Sequence, residues 1–117
     1  MLIYKEHLPK DTLDVRKVRL PFRSAEDARK AVLNIQLQHG SPCMWYQADY
    51  DSECYDNDEF REYLLMAIGT GHHWSDDEFT REQYIGTAAL YDGSLMLHYF
   101  LVENTYSAIL SESDAEM

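Results

Sequence analysis

His72 and His73 stand close to Asp76, Asp77 and Glu78, residue types that hold a divalent metal ion. On an extended chain neighbouring side chains point apart, so the two histidines cannot readily grip one ion together. A further ligand such as His98 or His39 would have to arrive through the fold, and the resulting centre would support metal-assisted hydrolysis. A simpler account needs no ion. Gly69 and Gly71 permit a tight turn while one imidazole bonds to backbone and packs on Trp74. The simpler account is preferred, so no metal and no cofactor is assigned.

Other chemistry-bearing patterns fail on spacing. Asp49, Asp51, Glu53, Asp56 and Asp58 invite a calcium loop. Its sixth position calls for Gly and its twelfth for a carboxylate, and this chain has Cys54 and Phe60 there. Gly69-Thr70-Gly71 lacks the further glycines, the Lys and the following helix of a phosphate-binding turn. Cys43 follows Pro42 in an expected strand, where it acts as a small buried hydrophobe. No Ser sits in a nucleophile elbow. The chain is therefore expected not to be an enzyme.

Charge is distributed unevenly along the 117 residues. Residues 1–30 hold eight of the ten Lys and Arg against five acids, a net of +3, and residues 31–117 hold two against sixteen, a net of −14. The total of −11 disfavours binding to phosphate backbones or anionic membranes. Six of the carboxylates fall within residues 49–59, a loop that also carries Tyr50 and Tyr55. Tyrosines beside acids on a loop suit a protein contact, because the rings bury large area at low entropic cost. Two cysteines without metal-pair or disulfide spacing, no signal peptide and no long apolar run point to a cytoplasmic, reduced protein.

The elements that must position these residues read mainly as strands. Residues 95–102 are apolar on both parities, which places that strand in mid-sheet or at a subunit contact. Asp92-Gly93 supplies the turn that joins it to the apolar run before it. Residues 1–8 and 14–20 alternate as strands, the second guarded as an edge by Arg16, Lys17 and Arg19. Ser24 is an N-cap for a short helix with acids first and bases last. Leu33, Ile35 and Leu37 alternate with Asn34, Gln36 and Gln38, and residues 43–48 follow the His39–Pro42 turn as the next strand. Residues 60–68 read as helical at first and strand-like by their end, and residues 75–83 as a cap and one helical turn.

The fold expected is a compact antiparallel sandwich or small barrel of about seven strands with one short inserted helix. The alternative is α+β, should residues 60–68 be helical throughout. Residues 1–103 make one β-rich domain and residues 104–117 a polar, partly disordered tail.

Several segments together resemble a family of short, uncharacterised bacteriophage proteins of unknown function. They are IYK near the start, Leu20-Pro21, LNIQLQHGSPCMWYQAD, IGTGH at 68–72, and YIGT with GSLMLHYF at 84–100. The resemblance covers most of residues 2–103 and implies a phage gene product with an all-β core, and no activity. The Ser24–Lys30 segment, the acidic loop and the tail depart from the family's shorter pattern.

The leading expectation is a non-enzymatic phage protein that binds and inhibits or modulates a host protein. Asp49, Tyr50, Asp51, Glu53, Tyr55, Asp56, Asp58, Asp76, Asp77 and Glu78 would make the contact, imitating the charge of a nucleic acid in a basic groove. The alternative is a small-ligand or nucleotide-sequestering protein that uses Thr70, His72, His73, Trp74 and His98, with Arg16 or Arg19. A metal-dependent hydrolase ranks third. A sheet edge or residues 95–102 would also suit a homodimer, with the oligomeric state left open.

Overall fold

Asp92-Gly93 turns the chain as its composition predicts, and the hairpin around it anchors the larger of two sheets. The computed structural model describes residues 2–48, 60–71 and 80–104. Within them run β1 (Leu2–His7), β2 (Val15–Leu20), α1 (Ala25–Ala31), β3 (Val32–Gln38), β4 (Ser41–Ala48), β5 (Arg61–Gly69), β6 (Tyr84–Leu90) and β7 (Leu95–Glu103). The three-stranded sheet has the order β1-β4-β3 and the four-stranded sheet β2-β5-β7-β6. Every pairing is antiparallel. The fold is a sandwich of seven strands among the described residues, and not a closed barrel.

Residues 60–68 are not helical in any part. Residues 61–68 are the body of β5, which lies between β2 and β7. Tyr63, Leu65 and Ala67 point to the inter-sheet core, and Leu64, Met66 and Ile68 to the opposite face. A run that is apolar on both parities satisfies a central strand, whereas a helix would scatter it around its axis. The same argument places β7, which is flanked by β5 and β6, in mid-sheet as expected. The charged strand β2 is an edge, also as expected.

The core lies between the sheets. Met44, Tyr46 and Ala48 of β4 meet Leu65, Ala67, Leu97, Tyr99 and Leu101 of the facing sheet. Burying one such Leu contributes about 2 kcal/mol. The Arg16–Glu6 ion pair, 3.5 Å long and partly exposed, bridges β2 to β1 and contributes less than about 1 kcal/mol. Burial, not charge, holds the layers together. Two core tyrosines tie down connections: Tyr63 donates to the Phe22 carbonyl at 2.6 Å and Tyr99 to the Pro9 carbonyl at 2.7 Å.

Ser24 caps α1 through its hydroxyl, which accepts from the Asp27 amide at 3.1 Å. The helix fills the gap left where β6 begins opposite Phe100, so that the end of β7 has no strand on that side. There Arg29 donates to the Leu101 carbonyl at 2.9 Å and the Ala25 amide donates to Glu103 at 3.3 Å. His39 and Gly40, both at positive φ, form a two-residue hairpin, so β4 restarts at Ser41, earlier than its composition suggested. The missing N–H of Pro42 falls just past the end of β1, where Leu8 donates to its carbonyl. Cys43 is fully buried, in line with its expected role, and its sulfur lies 3.6 Å from His7 Nδ1.

The alternation expected for β3 is broken. A bulge between Val32 and Asn34 leaves Leu33 exposed, while Ile35 packs against the core. A second bulge between Tyr84 and Gly86 lies on β6, the edge strand that approaches β3 from the other sheet. Gly86 is the point of contact: a Cβ there would come within 2.7 Å of Ile35 Cδ1. No helix among the described residues is long and apolar enough to cross a membrane.

Candidate functional site

The far face of the four-stranded sheet, turned away from the core, is itself apolar. Ile68 and Phe100 are buried there, with Met66 and Val102 packed against them. At the end of this face, where β5 finishes, lies a cavity of about 410 Å³ lined by Ile68, Gly69, Thr70, Arg81, Tyr84, His98 and Phe100, among others. A single 3-10 turn, Arg81–Gln83, leads into β6 along its rim.

Local backbone contacts fix the wall. The Gly69 amide donates to Thr12 Oγ1 at 2.6 Å and the Thr70 amide to the Met96 carbonyl at 3.3 Å. Gly71 turns the chain away with φ +86°, a conformation that side-chain-bearing residues rarely adopt. On β7, His98 sits in register between Ile68 and Thr87. The bulge on β6 then does something a regular strand cannot. It places Tyr84 and Thr87, three residues apart, on the same face, in register with Phe100 and His98 respectively. The Tyr84 and Phe100 rings meet edge to face, with centroids 5.8 Å apart.

A continuous hydrogen-bonded chain results. Thr70 Oγ1 is 2.7 Å from His98 Nε2, Thr87 Oγ1 is 2.9 Å from His98 Nδ1, and the Tyr84 hydroxyl bonds to Thr87 Oγ1. In the neutral imidazole one nitrogen donates and the other accepts, and a hydroxyl can answer either role. Both ring nitrogens are therefore occupied and the ring is fixed in the wall. A metal ion at His98 would have to displace one of these threonines. His39, in the β3–β4 hairpin of the other sheet, is not placed to join it. No group of three or more His, Cys, Asp or Glu converges on a metal-sized site among the described residues.

Of the residues expected for ligand binding, Thr70 and His98 come together, while His72, His73 and Trp74 lie outside the described residues. Asp49, Tyr50, Asp51, Glu53, Tyr55, Asp56, Asp58, Asp76, Asp77 and Glu78 also lie outside them, as do Cys54 and most of the expected tail. Arg16 and Arg19 do not reach the cavity. β2 is at the opposite edge from β6; Arg16 pairs with Glu6, and Arg19 lies over the Phe60 ring at 5.7 Å. The cation at the cavity is Arg81, which has no ion-pair partner among the described residues. Sequence reasoning also missed Tyr84 and Thr87 as site residues. Gly86, a glycine inside a strand pattern, was the signal for the bulge that brings them there.

Comparison with known proteins adds a family but no activity. The chain belongs to the family described as Domain of unknown function (DUF7352), whose model matches residues 2–108. Neither the curated proteins nor the solved structures contain a significant match.

Proposed function

We propose that this chain, a member of a family without an assigned activity, is a binding protein for a small organic ligand seated in the cavity at the end of β5. The supporting observation is the cavity itself: apolar walls from Ile68, Phe100 and the Tyr84 ring, beside one fixed polar line, Thr70–His98–Thr87–Tyr84. Ligand sites are commonly built this way, with area supplied by apolar surface and orientation by a few placed polar groups. Each polar group in this line already has a partner, which suits recognition by an ordered wall. A thermal-shift screen of small molecules tests the reading, because a ligand held by the folded state alone raises the unfolding midpoint. A hit that shifts wild type and not a Phe100→Ala variant supports it. Hits that shift both equally would place the ligand elsewhere.

A second reading is favoured by the net charge of −14 on residues 31–117. In it, the protein is a phage product in the host cytoplasm, and its acidic, Tyr-bearing segments at 49–58 and 76–78 engage a basic host protein. Binding of that kind weakens as salt is raised. Capture of the same host protein by a variant with those acids changed to Asn and Gln would sink it. The two readings involve different residues and are separable by these variants.

A further inference from the structure

We infer that the cavity takes an organic anion: an apolar body against Ile68 and Phe100, with one compact acidic head at Arg81. This rests on the small-ligand reading and sharpens it to a chemical class. Residues 31–117 contain only two cations, Arg61 and Arg81, against sixteen carboxylates. One of those two lines the largely apolar cavity, with no carboxylate partner among the described residues. A guanidinium stays charged at all accessible pH and offers a planar fork of donors that matches a carboxylate, sulfonate or phosphate ester. Thr70 lines the same cavity, but its hydroxyl is already bonded to His98, which leaves Arg81 as the group that takes the head. Ile68, Phe100 and the Tyr84 ring offer nothing to a second charge, so the ligand's remaining part is apolar.

The protein's overall charge makes this assignment discriminating. With a net charge of −11, long-range attraction favours cations and opposes anions. At about 0.15 M salt that field is screened beyond roughly 8 Å, while a contact at the guanidinium is not. A preference for anions must therefore come from the cavity.

The test uses two fluorescent probes of one skeleton, anilinonaphthalenesulfonate and its uncharged parent N-phenylnaphthylamine. Each is titrated into the full chain at that salt concentration, and backbone amide shifts locate the site. The expected result is that the sulfonate binds about tenfold more tightly, the scale of one charge-assisted contact. Shifts should centre on residues 68–71, 98 and 100. The exposed Arg81→Gln variant should bring the two probes to parity, and Arg81→Lys should keep part of the difference. Equal affinities in wild type, with shifts at those amides, would overturn the anion assignment and leave the small-ligand reading standing. A sulfonate preference unchanged in Arg81→Gln would do the same. Shifts from both probes confined to other parts of the chain would overturn both.

Discussion

Thr87 is the residue on which the site's polar line turns, since it bonds His98 on one side and Tyr84 on the other. Thr87→Val keeps the shape and removes the hydroxyl, leaving His98 Nδ1 and the Tyr84 hydroxyl without that partner. The expected cost is about 1 kcal/mol, measured by denaturant unfolding. The sharper readout is nitrogen NMR of the His98 ring, where the Nδ1 signal should move more than the Nε2 signal, because Nδ1 loses its partner while Nε2 keeps Thr70. Tyr84→Phe removes only the outer end of the chain and should leave the Nδ1 signal close to its wild-type position. Thr70 and His98 were legible from the sequence as a pair of polar groups near a Gly-rich turn. Thr87 was not, because a period-two reading puts residues 84 and 87 on opposite faces. Gly86 within the strand pattern hints at a bulge, but the register shift that reverses the faces is set by pairing with β7, which the sequence of β6 alone does not give.

At the scale of elements, the two bulges define where the sandwich closes on one side. β3 and β6 belong to different sheets, and they approach because Gly86 lets Ile35 rest on the β6 backbone. Gly86→Ala puts a Cβ within 2.7 Å of the Ile35 side chain. The expected loss is about 1–3 kcal/mol, the usual cost of overpacking. Adding Ile35→Val removes the clashing methyl, so the double variant should be more stable than the sum of the single changes implies; a double-mutant cycle measures it. Purely additive losses would show that the glycine matters for its backbone and not for this contact. Strand identity was legible wherever alternation or two-sided apolarity was strong, as in β4 and β7. The fault came at residues 60–68, where Phe60 to Tyr63 mix charge and aromatics before the apolar run settles. Pairing on both sides decides that segment, and the sequence does not print its neighbours. α1 was legible for the opposite reason: the Ser24 cap and the ordered charges of Glu26, Asp27, Arg29 and Lys30 are local signals.

At the scale of the whole molecule, two terms set how stability responds to solution conditions, and they act in different pH ranges. A net charge of −11 repels itself near neutrality, so added salt should raise the unfolding midpoint until screening is complete. At high pH the core tyrosines take over. Burial, with help from the Glu103 charge, pushes the Tyr63 phenol from 10.0 up to about 12, and burial raises Tyr99 still further. The folded state thus keeps protons that the unfolded chain releases above about pH 10. The sign follows from that difference. The stabilisation is fully present below pH 10 and is lost as pH rises toward the folded values, at up to ~1.4 kcal/mol per pH unit for each tyrosine. Denaturant unfolding at pH 9 and pH 11 should therefore show a steep fall, and Tyr63→Phe and Tyr99→Phe should each flatten it while lowering stability at pH 9 through the lost bonds to the Phe22 and Pro9 carbonyls. An unchanged pH slope in both variants would mean that alkaline unfolding starts elsewhere, and that these two rings do not act as the protonated pins between the sheets and their connecting loops.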